Sequence, residues 1–397
     1  MARVLVTDGH FRKTLAVVRS LGRKGIPVTV GERTYLNTSF FSKYCFKRLV
    51  YPSPRRSPDQ FIDFILKEIR KTYYDCLFPM EEETVLLLAK YHSEISQYTY
   101  LLCPDSKKIE FVRDKRNLMQ FAEAHGIPMP KTYYSPSTLW SNEADSTGQA
   151  LPLDSIPIPA VIKPRISSGS FGIVYVKREE DLIPAYQSVH EQFPFPLIQE
   201  WIPDGGGVFG LSALFDEASN IKAAFVHKKL RMYPVQGGPS TLREGVDHPQ
   251  IMEIGLSLLK SLNWVGVAMV EFKVDPRDGI PKLMEINPRF WGSLQLAIVS
   301  GVDFPYLILR MARKESFEPV VRYEVGKRSR WLLLGDILHF LKNPNRFHLH
   351  PSFFHFFDLD TSYDIISKDD PLPILGSVAT FFTFLYDPEM KRFLERR

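Results

Sequence analysis

The stretch VGVAMVEFKVDPRDGIPKLMEINPRFWGS, residues 265–293, decides the fold. Two apolar runs with period-two alternation, 265–274 and 280–287, flank the turn-forming cluster Asp275-Pro276-Arg277-Asp278-Gly279, so the stretch reads as a β-hairpin. In the first strand Val267, Met269, Glu271 and Lys273 share a face; in the second Leu283, Glu285 and Asn287 do. If the turn sets Glu271 opposite Glu285, two carboxylates and an amide oxygen converge on one patch. Directly opposed acids repel, and among apolar neighbours they require a cation. Oxygen donors of this kind suit Mg2+, whose sphere is completed by phosphate and water. Arg289 adds a guanidinium able to hold a transferring phosphoryl group. The bland alternatives are solvated acids on an exposed face and a surface ion pair for the arginine.

Upstream, His248 to Leu262 has helical amphipathic spacing. Gly205, Gly207 and Gly210 match GxGxxG, but the strand-like run Leu211 to Phe215 follows, so no helix N-terminus would meet a pyrophosphate and the glycines read as a flexible turn. Lys163 ends the run VIKP, and the following loop, Arg165 to Gly172, is rich in Ser and Gly, suited to wrapping phosphates, although the Walker spacing is absent. Strand signals at 160–163, 173–177, 197–201 and 210–215, with a helix at 179–192, predict an α+β unit. Before it come a helical pattern over 111–125 and a polar surface insertion over 135–159.

The first hundred residues alternate strand and helix: strands at 4–7, 26–30 and 75–79, helices at 14–24, 59–71 and 83–91. That order predicts a small doubly wound domain with a parallel sheet. Its first turn, Thr7-Asp8-Gly9-His10, lacks the glycines of a dinucleotide fingerprint. Asp8, His10, Glu81, Glu82 and Glu83 lie near strand ends, where ligands of open α/β sheets gather, and are candidate substrate contacts.

The chain has 397 residues, 44% of them hydrophobic, which excludes a disordered tail or a disulfide mini-scaffold. Fifty Lys and Arg against 45 Asp and Glu leave a charge of +5, which admits anionic small molecules without demanding nucleic acid. Cys45, Cys76 and Cys103 form no metal-binding spacing, and Val4-Leu5-Val6 is far too short for a signal-peptide core, so a reducing, cytoplasmic setting is expected. No transmembrane segment is expected; the longest uncharged run, 371–386, carries Pro371, Pro373 and Gly376 and reads as buried or at most interfacial. In the tail, Trp331, Phe340, Phe353, Phe354, Phe356 and Phe357 are predicted to pack a helical cap, the alternative being a partner or membrane surface. The tail histidines 339, 348, 350 and 355 lack metal spacing.

Taken in order, RDK at 113–115, GIPMPKT at 126–132, VIKP at 161–164, the Ser/Gly loop, IQEWI at 198–202, VEF at 270–272 and MEINPRFWGS at 284–293 resemble the ATP-grasp superfamily. Within it, the stretch from Tyr233 through GGPST at 237–241 to GVDFP at 301–305 is similar to the carboxylate-amine ligase branch that includes D-aspartate ligase-like and carbamoyl phosphate synthase-like proteins. The resemblance implies a mixed α/β and α+β ATP-grasp fold: a doubly wound substrate domain over 1–110, a subdomain with the phosphate loop over 111–200, a subdomain with the metal site over 201–320 and an extension over 321–397. It implies that Lys115 and Lys163 contact ATP phosphates, that Ser167, Ser168, Gly169 and Gly172 belong to the covering loop, and that Glu200, Trp201 and Ile202 form the adenine hinge. Glu271, Glu285 and Asn287 match the Mg2+ ligands, with Mn2+ as a substitute, and Arg289 the phosphate-contacting arginine. The acidic residue that similar proteins carry after the hinge has only Asp204 to replace it, in Asp204-Gly205-Gly206-Gly207. Arg231 and Arg243 are candidates for the substrate carboxylate or acyl phosphate, the alternative for each being an ordinary surface arginine.

The implied reaction activates a carboxylate as an acyl phosphate with release of ADP, after which an amine displaces phosphate to give an amide. It needs no enzyme nucleophile, only positioning and electrostatics. The rivals are other ATP-grasp chemistry, carbamoyl-phosphate-type or carboxylating, and a catalytically silent ATP-binding regulator. ATP, the carboxylate and the amine are the expected partners, nucleic acid is not, and a homodimer is compatible.

Overall fold

Val4, Leu5 and Val6 are wholly buried, as expected of a parallel strand covered on both faces. A computed structural model describes residues 2–134, 156–167, 169, 171–387 and 389. The insertion proposed for 135–159 therefore lies outside the described residues as far as 155, as does Ser168. Strands β1 (Val4–Val6), β2 (Val28–Glu32), β3 (Cys45–Val50) and β4 (Cys76–Phe78) form a parallel sheet in the order β3-β2-β1-β4. The helix Arg12–Arg23 follows β1 and buries Leu15, Val17, Val18 and Leu21. The doubly wound expectation holds, with one strand more than expected: β3 carries Lys47 and Arg48 on a sheet edge, which hides its periodicity.

A second four-stranded sheet contains β5 (Thr132–Tyr134), β6 (Ala160–Lys163), β7 (Val174–Val176) and β8 (Leu197–Glu200), antiparallel in the order β5-β8-β6-β7. The helix Leu182–Gln192 covers it through Leu182, Tyr186 and Val189. The helix expected over 111–125 is two, Ser106–Arg113 and Lys115–Ala124, because Asp114 caps the second by accepting from Arg116 N–H at 2.9 Å.

The remaining strands, β9 (Val208–Phe215), β10 (Ile221–Met232), β11 (Ser240–Gly245), β12 (Gly266–Val274), β13 (Pro281–Asn287), β14 (Arg328–Arg330) and β15 (Thr361–Tyr363), form a seven-stranded sheet in the order β13-β12-β9-β10-β11-β14-β15. The GxGxxG match runs straight into β9, a strand and not a helix. A Cβ on Gly206 would come within 2.0 Å of the Val274 carbonyl, so that glycine serves a close backbone approach.

By contacts the chain divides into two units, one of Met1–Ile109, Gly210–Met269 and Asn287–Arg397 and the other of Glu110–Phe209 and Val270–Ile286. The first unit has a core through Val4, Val17, Phe78, Phe225, Trp291 and Phe304, with Trp291 and Phe304 edge to face at 5.0 Å. Among the described residues no helix is long and apolar enough to cross a membrane. The aromatic tail packs in part: Phe340 stacks on Phe353 at 4.3 Å, whereas Phe354 and Phe357 are exposed, which corrects the expectation that all of them pack a cap.

Candidate active site

In the second unit, Lys163 at the end of β6 is half-buried beside the Sδ of Met284, 3.8 Å from its Nζ. Burial pushes its amine down to about 8, Lys115 and Lys273 push the same way, and Glu285 opposes them. Lys115, buried at the start of its helix, donates through Nζ to the Ser167 carbonyl at 2.8 Å and lies 3.4 Å from Ser167 Oγ. Its backbone N–H donates to the Arg165 carbonyl at 2.9 Å. Two cations and the start of the Ser/Gly loop are thus gathered. Gly169 and Gly172 have φ of +64° and +75°, and a Cβ on Gly172 would meet Pro164 at 2.7 Å and Phe193 at 2.8 Å, so the loop's path depends on glycine there.

The hinge residues leave β8 together. Glu200 accepts from Lys131 N–H at 2.9 Å through Oε1 and from Arg277 at 3.0 Å through Oε2. Ile202 is buried, and Lys273 Nζ lies 5.9 Å from the Trp201 ring while donating to the exposed Asp204 at 2.7 Å.

Glu271 on β12 and Glu285 on β13 are half-buried, and Asn287 is buried. The hairpin turn closes with Asp275 N–H donating to the Ile280 carbonyl at 3.0 Å. β13 lies next to β12 in the sheet, as the hairpin predicts. Burial departs from strict alternation: Leu283 is fully buried, Met284 and Glu285 are both half-buried, and Ile286 is buried again. Burial is thus uneven along Leu283, Glu285 and Asn287. The donor chemistry, two carboxylates and one amide on adjacent strands, still fits a hard oxygen-seeking cation. Among the described residues no three His, Cys, Asp or Glu side chains cluster to hold a metal.

The first unit holds a second group of candidates. Arg289 Nη1 donates to the Phe290 carbonyl at 3.0 Å, and its Nε, 4.0 Å from Glu82 Oε2, is buried without a hydrogen-bond partner. Lys13, at the start of the first helix, pairs with Glu81 at 2.6 Å and donates to the Phe290 carbonyl at 3.0 Å. Burial and Arg289 push Lys13 down to about 8. Although burial opposes it, Lys13 and Arg289 hold Glu81 below the usual carboxylate range. Asp8 accepts from Thr7 Oγ1 at 2.6 Å, Glu81 N–H at 3.0 Å and Thr84 Oγ1 at 2.9 Å, and burial pushes it up to about 6. His10 stands apart beside Thr34 and Glu32, driven down to about 3 by burial, and Glu83 is exposed near Arg55.

Neither Arg231 nor Arg243 is a surface arginine. Arg243 on β11 is wholly buried, bonded to Asp364 and, at 3.1 Å, to Ser329 Oγ. Arg12 joins the same carboxylate at 3.1 Å, donates to the Gly292 carbonyl at 2.9 Å and lies 4.0 Å from the Trp331 ring centroid. Arg231 sits at an irregularity of the β10–β11 ladder, facing Asp336 at 3.0 Å, and Arg330 shares that acid at 2.6 Å. Burial pushes Arg231 down to about 10. Nε of Arg231 and Nε and Nη1 of Arg243 are buried with no hydrogen-bond partner among the described residues. Lys13, Arg12, Asp336 and Asp364 were absent from the sequence reading. Lys13 and Arg12 had a local signal, two cations opening a helix just after a strand-end turn, whereas the two acids had none.

Residues 223–332 match a family model described as "ATP-grasp in the biosynthetic pathway with Ter operon". The chain has the ATP-grasp fold and carries an ATP-grasp domain. In sequence it is similar to a D-aspartate ligase of Enterococcus faecium (strain Aus0004), 23% identical over 269 residues, which are 61% of this chain and 61% of that protein. The chain thus spans about three-fifths of that curated relative. Among solved structures it resembles the biotin carboxylase–β-γ-ATP complex from Campylobacter jejuni, with TM-score 0.64, 14% identity, and coverage of 82% of this chain and 74% of that one. It also resembles L-amino acid ligase from Bacillus licheniformis, with TM-score 0.58, 15% identity, and coverage of 79% and 74%.

Proposed function

We propose that the protein is an ATP- and magnesium-dependent ligase that activates a carboxylate as an acyl phosphate and couples it to an amine, releasing ADP and phosphate in a cytoplasmic setting. The observation that carries this reading is Lys163: a half-buried ammonium beside the buried Lys115, its one hydrogen-bond-range contact among the described residues a neutral thioether. Such a pair is costly without an anion and suited to a polyphosphate.

In this reading Lys115, Lys163 and the loop of Ser167, Ser168, Gly169 and Gly172 hold the ATP phosphates, and Glu200, Trp201 and Ile202 hold adenine, with Asp204 toward the ribose. Glu271, Glu285 and Asn287 hold Mg2+, which supplies charge neutralisation for the phosphates when bound. Arg289 offers its unpartnered Nε to the transferring phosphoryl group. Arg231 and Arg243, fixed by Asp336 and Asp364, present their remaining N–H groups to the substrate carboxylate or to the acyl phosphate made from it. Asp8, Glu81, Glu82 and Lys13 stand on the amine side, with His10 and Glu83 at its margin; a buried carboxylate pushed up to about 6 at Asp8 suits a group that exchanges protons near neutrality. The similarity to a D-aspartate ligase and to an L-amino acid ligase supports an amino acid as one substrate.

Hydroxylamine traps acyl phosphates as stable hydroxamates. Incubation with Mg-ATP, hydroxylamine and a panel of amino acids and small carboxylates is expected to give hydroxamate and ADP with one panel member, and neither with Glu285→Gln. Mg-ATP binding with no ADP release on any carboxylate would favour the silent regulator.

A further inference from the structure

Two apolar tracts of the C-terminal region face outward. Along 337–359, Phe353 is buried under Phe340, but Leu341, Phe347 and Phe354 are exposed, and Phe357 and Leu359 are 98% and 100% exposed. The second tract lies on the helix Pro373–Tyr386, whose burial is described at residues 373–380, 382 and 383. It buries Gly376, Ser377 and Thr383, and a Cβ on Gly376 would fall within 2.8 Å of Phe41. Leu375, Val378 and Phe382, spaced i, i+3, i+7 along one stripe, are each more than half exposed. Among these described side chains the arrangement is the opposite of that on a helix bordering water.

Charge says what covers the first of these tracts. Residues 337–357 contain Lys342, Arg346 and four histidines, and no Asp or Glu. One of the four, His339, is buried and bonded to the Met232 carbonyl at 2.7 Å. The acids that follow are already engaged, Asp358 by Arg328 at 3.4 Å and Asp360 by Lys327 at 3.0 Å. A second copy of this chain would set the same cationic segment against itself. We propose that this face docks on an anionic lipid surface, with Phe347, Phe354, Phe357 and Leu359 entering the headgroup boundary and Lys342 and Arg346 against the lipid charges. The 14-residue helix is about 21 Å long, short of the roughly 30 Å hydrocarbon core, so it would not cross such a membrane. The ligase would then work beside a membrane.

The test is co-sedimentation of the full chain with phosphatidylcholine vesicles, with or without one quarter phosphatidylglycerol, at low and high salt. Binding to the anionic vesicles is expected to exceed neutral ones by about tenfold and to fall with salt. The double variants Phe357→Ser/Leu359→Ser and Lys342→Glu/Arg346→Glu should each lose most of it while Tm and Mg-ATP binding stay unchanged. No excess on anionic vesicles, or binding that survives both variants, overturns the proposal. So does a dimer seen by light scattering that the serine variant dissociates without any vesicle binding, which would make the face a protein interface.

Discussion

The two units treat buried positive charge in opposite ways. In the first, Arg243 and Arg231 arrive with their own carboxylates, Asp364 and Asp336, and each acid also holds a second arginine, Arg12 or Arg330. In the second, the hydrogen-bond-range contacts of half-buried Lys163 and buried Lys115 are, among the described residues, neutral atoms: the Met284 thioether and the Ser167 carbonyl and hydroxyl. A buried cation is tolerable once paired and costs several kcal/mol when it is not. The arginines are therefore a finished framework whose remaining N–H groups are aimed by their acids. The lysines are unfinished until an anion arrives, and the lowered basicity of Lys163 registers that.

The largest effect follows from the framework. Asp364→Ala strands Arg243 and Arg12 in a site where the acid is 1% exposed, and should cost about 3–5 kcal/mol, read as a large fall in Tm and denaturation midpoint. Removing Arg243 as well, in Arg243→Leu/Asp364→Ala, should recover part of the loss, because the stranded charge and not a lost attraction dominates. A change below about 1 kcal/mol for the single variant, the value of a solvated pair, would dissolve the contrast between the units.

Lys163→Met sharpens it from the other side. Replacing an ammonium that has no carboxylate within 4.0 Å among the described residues by an apolar side chain of similar length should leave stability unchanged or higher, while weakening Mg-ATP binding by about 10–100-fold, or about 1.4–2.8 kcal/mol. The pH dependence has a definite sign. With its pKa near 8 in the free protein, Lys163 is mainly charged at pH 7 and loses its proton above 8. A bound triphosphate raises that pKa, so affinity is flat below 8 and then falls with pH, by at most about tenfold per unit. Calorimetric titration from pH 6.5 to 9.5 should show the decline in the wild type and its absence in Lys163→Met. A wild type flat to 9.5 would remove Lys163 from the phosphate site.

How much of this could be read from sequence depends on how local each determinant is. The hairpin of β12 and β13 and the strand-helix-strand opening were legible, because their periods and turn residues lie within a dozen positions. The β10–β11 pair was missed: register shifts between Lys229 and Met232 break its alternation just where Arg231 is re-aimed. The turn of the β12–β13 hairpin closes through the Asp275–Ile280 bond, across the five-residue cluster that marks it. The partners of Arg243 and Arg231 were invisible, since Asp364 lies 121 positions from Arg243 and is brought there by β14 and β15, short strands with no periodic signal. Lysines awaiting an anion could be read from motif order, whereas arginines already paired could only be seen folded.

The smallest effect belongs to the exposed rim of the hinge, where the contrast between units should vanish. Asp204 is 89% exposed and bonded to Lys273 at 2.7 Å, a solvated pair worth little to the fold, so Asp204→Asn should shift stability by less than about 1 kcal/mol. Its value as a probe lies in the ribose. If this carboxylate accepts from a ribose hydroxyl, the wild type should prefer ATP to 2′-deoxy-ATP by several-fold, about the worth of one hydrogen bond to a charged group, and Asp204→Asn should bind the two nucleotides almost alike. A preference that persists undiminished in the variant would move the ribose contact off Asp204 and leave Glu200, fixed by Lys131 and Arg277, as the acid of the hinge.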